Sequence, residues 1–147
     1  MLDKNKKLEM LKQMYRIRFF EEHSKKFYKK KFLEGSFMGA LHTYIGQEAI
    51  AVGICFSLIK DDYVFSSHRG HGHFIAKGGS LKEMMAELRG KKNGCSGGMG
   101  GSMHLFSTEI GFMGGNGIVG AGIPLSIGAA FSAAYRDSKQ VSVCFFG

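Results

Sequence analysis

Apolar and polar positions follow a helical period over the first thirty residues, and that period disappears after residue 90. Leu8, Leu11, Tyr15, Phe19, Phe27 and Phe32 recur at roughly helical spacing with charges between them, predicting an amphipathic helix over 5–33 that Gly35 stops. Residues 35–44 show no period and read as a loop with an apolar interior. The segment 46–59 is small and apolar nearly all round, the pattern of a buried helix. Asp61 and Asp62 turn the chain into a strand over 63–66. Ser80 and Glu83 form a capping box before Leu81, and Gly90 closes that helix. Pro124 suits the first turn of a helix over 123–136, and the β-rich run 141–146 reads as a strand buried on both faces. Between them, residues 94–122 hold 11 of the 22 glycines, interleaved with Met, His, Phe, Ile and Val. That mixture suggests backbone brought close to something rather than a linker.

Two strands separated by helices imply the α/β class, a parallel sheet flanked by helices, which needs more strands than these. The last strand ends at its carboxyl end, where ligands bind in open α/β sheets. The chain therefore reads as the front part of one longer domain: 1–147 is a single incomplete unit, with 1–35 as a basic helical extension.

Composition changes this picture little. The 147 residues are 44% hydrophobic and 22% charged, ordinary for a globular protein. No run approaches the ~20 apolar residues that span a bilayer. The basic start lacks an apolar signal core, so an intracellular, cytoplasmic protein without a membrane partner is expected. Cys55, Cys95 and Cys144 fit neither a disulfide framework nor a zinc knuckle and read as reduced thiols, with Cys55 and Cys144 as small core residues. The net charge of +8 resides mostly in residues 1–35, which hold 11 Lys/Arg against 5 Asp/Glu. A run such as Lys29-Lys30-Lys31 reads as a solvated helix face, and no nucleic-acid module accompanies it. A basic nucleic-acid-binding module stands as the alternative from another class.

Candidate chemistry gathers at His68-Arg69-Gly70-His71-Gly72-His73, directly after a strand. Arg69 suits a phosphate because its guanidinium presents several donors in one plane, and the glycines let the backbone come close. A metal site built on the three histidines and a purely structural turn are the alternatives; no carboxylate or thiolate lies at a recognised spacing. His42 and His104, taken singly, read as hydrogen-bonded structural histidines. Residues 115–120 match GxGxxG, but glycine-rich loop precedes the motif and Pro124 follows before the helix, which argues against a dinucleotide fold. A phosphate-binding P-loop sequence is also missing.

Four segments in this order resemble one family: RFFEE (18–22), HTYIGQEAIAVG (42–53), SSHRGHG (66–72), and GGSMH continuing to GGNGIVGAGIPLSIGAA (100–130). They are similar to the alpha subunits of thiamine-diphosphate-dependent 2-oxo acid dehydrogenases, the decarboxylating component of the pyruvate and acetoin complexes. The resemblance implies the thiamine-diphosphate-binding fold, oxidative decarboxylation of pyruvate or cleavage of acetoin, and acyl transfer to a lipoyl group. It implies that Arg69 binds the diphosphate with His68 beside it, where pyruvate enzymes commonly have Tyr. Gly117 and Val119 would hold the aminopyrimidine by main chain, Ser107 would lie against the cofactor, and His42 and His71 would line the pocket as catalytic groups. Partners implied are a beta subunit in an α2β2 assembly, which supplies an activating Glu, and a lipoyl-bearing acyltransferase. Magnesium is implied too. Gly147 matches the first glycine of its motif, and its Asp and Asn ligands are expected beyond residue 147. Another transketolase-like thiamine enzyme is the runner-up reading.

Overall fold

The computed structural model describes residues 2–34 and 39–146. The expected stop at Gly35 and the side chain of Phe32 lie outside the described residues, as does Gly147. The first helix, α1 (Lys4–Leu33), forms as expected, but the buried side is not the predicted stripe. Leu8, Leu11, Tyr15 and Phe19 are exposed, whereas Ile17, Phe20, Glu21 and Ser24 are buried. Two polar side chains therefore sit on the inward face. Hydrophobicity alone does not select that face, because the partners of Glu21, Tyr44 and His71, lie far away in sequence. The second half of α1 is part of the core, with Ile17 and Phe20 packed among Tyr44, Val52, Phe74 and Leu105.

Helix α2 (Glu48–Cys55) is shorter than the expected 46–59. It is not buried all round: Ala51, Val52 and Cys55 face inward, while Ile50 and Ile54 face outward. Arg18 Nε donates to Glu48 Oε1 at 2.7 Å, tying α1 to the first turn of α2. Strand β1 (Tyr63–Ser67) follows, and then α3 (His71–Ala76), a helix the sequence pattern did not announce. Helix α4 (Leu81–Leu88) starts at the expected cap, with Ser80 Oγ accepting from Glu83 N–H at 3.3 Å. Gly90 takes φ +62°, the left-handed conformation that ends helices.

A second unannounced element, β2 (Phe112–Asn116), emerges from the glycine-rich region after a short 3-10 turn at Thr108–Ile110. Its sequence, FMGGN, lacks the β-branched residues that mark strands, so pairing with β1 must specify it. A strand thus does precede residues 115–120, contrary to expectation; the following helix, α5 (Gly122–Tyr135), still opens only after the motif ends. The last strand, β3 (Ser142–Cys144), is half-buried and not covered on both faces, and it stands at an edge of the sheet. Cys55 is a core residue as expected, while Cys144 is only half-buried.

The three strands are parallel in the order β2-β1-β3. Val64 and Ser66 of β1 face α3: Val64 joins the core with Phe74, and Ser66 Oγ reaches His73. Phe65 points the other way, towards Gly122 of α5. Phe74 and Phe112 meet edge to face at 5.3 Å and fix α3 against β2. The architecture is α/β, a small parallel sheet flanked by helices. Among the described residues no helix is long and apolar enough to cross a membrane.

Candidate functional site

Ser67 pairs with Asn116, so β1 and β2 end together and residues 68–70 and 117–119 leave the sheet side by side. An open cleft of about 270 Å³ lies at the carboxyl end of β1 on the side of β3 and α2, lined by Tyr44, Gln47, Ser67, His68, Arg69 and Phe145, among others; residues 117–119 do not line it. Crevices at the carboxyl ends of parallel strands are where α/β proteins bind ligands. Arg69 is held at two points. Its N–H donates to Ser67 Oγ at 3.3 Å, and Nη1 donates to the Thr43 carbonyl at 3.0 Å. The guanidinium is thereby fixed beside the 42–44 loop while remaining exposed, with donors to spare.

The rings of His42 and His68 meet edge to face at 5.2 Å. Both Nδ1 atoms are buried without a hydrogen-bond partner. Buried polar atoms are nearly always paired; Gln13 Oε1, Ser24 Oγ and Ser142 Oγ are unpartnered too, and the histidine pair is set apart by its place beside Arg69. Burial, then electrostatic interaction with His68 and Arg69, holds His42 below the usual imidazole range, partly opposed by a hydrogen bond with the Ala40 backbone. His42 is accordingly neutral at neutral pH.

The other two histidines of the motif are committed to the protein. His71 is fully buried: Nδ1 lies 3.0 and 3.1 Å from the two oxygens of Glu21. Its Nε2 lies 3.0 Å from both the carbonyl and Oγ of Ser102. Ser102 Oγ in turn accepts the His42 N–H at 2.9 Å, and Glu21 Oε1 accepts the Tyr44 N–H at 2.8 Å. His73 is held between Ser66 Oγ on Nδ1 and Tyr44 Oη on Nε2, each at 2.7 Å, and stacks on Phe145 at 3.7 Å between centroids. Burial alone lowers its pKa to about 3. Gly72 between them is required by close approach, since a Cβ there would overlap the Tyr44 ring. The three histidines point in three directions. Among the described residues no group of three His, Cys, Asp or Glu side chains is placed to hold a metal.

The remaining expected residues divide. Gly117 and Val119 are exposed on the loop after β2, beside the Arg69 segment. Asn116 Oδ1 accepts the Ile118 N–H at 2.8 Å and shapes that loop. His104 is exposed, its ring against Gly117. Ser107 is elsewhere: it bridges Phe112 at the opposite end of β2 and lines a separate polar hollow with Glu83, Asn93 and Cys95. Burial raises the Cys95 thiol, so no reactive thiolate stands there. Sequence reasoning assigned no role to Glu21 or Ser102, although both lie within the quoted segments RFFEE and GGSMH. Nothing in the spacing links Glu21 to His71, which is fifty residues away.

The family model for the dehydrogenase E1 component matches residues 12–147. The chain is 47% identical over 146 residues to the alpha subunit of acetoin:2,6-dichlorophenolindophenol oxidoreductase from Bacillus subtilis (strain 168), covering 99% of the chain and 43% of that relative. It is 45% identical over 140 residues to the pyruvate dehydrogenase E1 component subunit alpha of Rhizobium meliloti (strain 1021), covering 95% and 39%. The corresponding Zymomonas mobilis subunit is 47% identical over 146 residues, covering 99% and 40%. The chain thus spans about two fifths of the length of these relatives. With the match running through every segment that builds the cleft, the chain belongs to the dehydrogenase E1 component family.

Proposed function

We propose that this chain supplies the diphosphate- and pyrimidine-binding part of a thiamine-diphosphate site in the alpha subunit of a 2-oxo acid dehydrogenase. The observation that carries the reading is the pair of unpartnered buried nitrogens on His42 and His68, next to an anchored, exposed Arg69 at the strand ends. Family membership supports it: the relatives are alpha subunits named for pyruvate dehydrogenase and for acetoin oxidoreductase.

In this reading the thiamine-diphosphate-binding fold begins with the three parallel strands described above. Arg69 would neutralise the diphosphate by charge-assisted hydrogen bonds. The exposed main chain at Gly117 and Val119 would hold the aminopyrimidine. When bound, thiamine diphosphate supplies the nucleophilic carbon and the electron sink for 2-oxo acid decarboxylation. Neutral His42, its Nδ1 bare, is the residue suited to accept or return a proton at the reacting group. His68 would satisfy its own orphaned nitrogen on the cofactor. His71, buried with both nitrogens engaged, would act by positioning, holding Ser102 and through it the main chain of His42. Magnesium would take its ligands from chain beyond residue 147. A beta subunit and a lipoyl-bearing acyltransferase complete the proposed assembly.

The His68 variant of the motif leaves pyruvate and acetoin as the candidate substrates. The test is a substrate panel on the full-length chain assembled with its beta subunit, with thiamine diphosphate and magnesium present. Decarboxylation of pyruvate or cleavage of acetoin is expected. Turnover of neither, with ketol transfer between sugars instead, would replace the reading with a transketolase-like one.

A further inference from the structure

Glu87, in the last turn of α4, is fully buried, and its partners are main-chain amides. Oε2 accepts from Ser96 N–H at 2.7 Å and Gly98 N–H at 2.9 Å. Oε1 accepts from Gly100 N–H at 2.6 Å and Gly101 N–H at 3.1 Å. One side chain thus gathers four amides from a six-residue stretch of irregular backbone. Helix and sheet cannot supply these amides with acceptors, and buried amides need them. Four donors converging on two oxygens call for a group that only accepts, which is a carboxylate. The approach is close enough that a Cβ on Gly94 would overlap Glu87 Oε2 and crowd its backbone.

The stretch that Glu87 gathers leads directly into the site. The next residue, Ser102, holds the His42 N–H and contacts His71 Nε2. Ser96 Oγ donates to the His104 carbonyl at 2.8 Å, closing the stretch on itself, and the His104 ring lies against Gly117. We propose that Glu87 is the positioning residue of the site: by fixing the backbone at 96–101 it sets Ser102, and so the His42 and His71 pair, on one side, and His104 with Gly117 on the other. Glu87 does not line the cleft beside Arg69; it lies against a separate hollow with Ala40, Gly98 and Ser102. This role rests on the thiamine-diphosphate reading only for its effect on cofactor binding; its effect on the backbone does not depend on that reading.

The Glu87→Gln substitution keeps the shape but turns an amide NH2 towards two N–H donors, so half of the cradle is lost. Glu87→Asp keeps both acceptors but draws them back by one methylene. In the full-length chain assembled with its beta subunit, amide hydrogen exchange over 94–104 should accelerate at least tenfold in Glu87→Gln, while α5 exchanges as in the unsubstituted protein. Thiamine diphosphate, titrated with magnesium, should bind at least tenfold more weakly, with kcat at saturating cofactor changing less than the apparent KM for cofactor. Glu87→Asp should recover part of both losses. Unchanged exchange over 94–104 would overturn the proposal, as would acceleration equal in α5 and in the loop, which marks a merely structural role. If Glu87→Gln does not fold, the same two readouts on Glu87→Asp decide. If the unsubstituted protein binds no thiamine diphosphate, the functional reading fails, and the exchange pattern alone judges Glu87.

Discussion

His71 and His73 lie two residues from each other on α3, and His42 and His68 lie against each other a few ångströms away, yet the two pairs behave oppositely. The first pair has every ring nitrogen engaged by the protein: by Glu21 and Ser102 for His71, by Ser66 and Tyr44 for His73. The second pair keeps a buried nitrogen on each ring without a partner. Residue type and proximity to a motif do not distinguish frame from site here. Hydrogen-bond satisfaction separates these four: His71 and His73, paired within the protein, belong to the frame, whereas His42 and His68 keep an unpaired nitrogen beside the exposed Arg69. Arg69 belongs with the second pair, its guanidinium anchored through one nitrogen and otherwise exposed.

If that division holds, damage to the frame should appear as lost stability and damage to the site as lost binding. The largest effect is expected at Glu21. Its removal in Glu21→Ala leaves His71 and the Tyr44 amide facing a buried void, and truncating one member of a buried pair typically costs about 3–5 kcal/mol. Urea denaturation checks this; a loss under 1 kcal/mol would place Glu21 outside the frame.

His73 makes the next contribution, as a dependence on pH. Its folded pKa of about 3 lies below the ordinary value of 6.5, so between those values the unfolded chain binds the extra proton. The stability that neutral His73 provides is therefore complete above pH 6.5 and falls as the pH drops towards 3, by at most about 1.4 kcal/mol per pH unit. Urea midpoints measured across that window should show the slope, and His73→Phe should flatten it. An unchanged slope would mean another group carries the transition.

Much of this division was unreadable in the sequence, for physical reasons that differ by residue. Helices α4 and α5 announce themselves through local rules, a capping box in one and Pro124 with small residues in the other. Strand β2 does not, because FMGGN has little strand propensity of its own and depends on β1. Helix α3 is six residues containing a glycine, and its side chains are held by Glu21, Ser66 and Tyr44. On α1, apolar periodicity points to Leu8, Leu11, Tyr15 and Phe19, while burial falls on a neighbouring face that carries Glu21. No local rule rewards a buried carboxylate whose histidine is fifty residues away. Arg69 and His68 stand out as candidates because their chemistry is local to a short motif, whereas His42, taken singly, reads as structural and becomes a candidate only through the family resemblance. Glu87 offered one overlooked sign: an acid in the last turn of a helix opposes the macrodipole, and the glycine run after it supplies the amides that compensate.

A smaller effect separates the main chain from the side chains of the site. A Cβ on Gly117 would approach the His104 ring at 3.4–3.5 Å, an ordinary van der Waals contact. Gly117→Ala should therefore change stability by less than about 0.5 kcal/mol, as surface substitutions usually do. Cofactor affinity should fall severalfold if main chain at this position grips the pyrimidine. Equal affinity in a calorimetric titration would remove Gly117 from the site.

The most direct test of the division between frame and site is calorimetric titration of thiamine diphosphate, with magnesium, into the full-length chain assembled with its beta subunit, with and without Arg69→Ala. Charge-assisted hydrogen bonds are worth roughly 1.5–3 kcal/mol, so affinity should fall by about 10- to 150-fold while the urea midpoint stays unchanged. Equal affinity in the two proteins, or loss of stability in place of loss of binding, would contradict the assignment of Arg69 and its two unpartnered histidines to the cofactor.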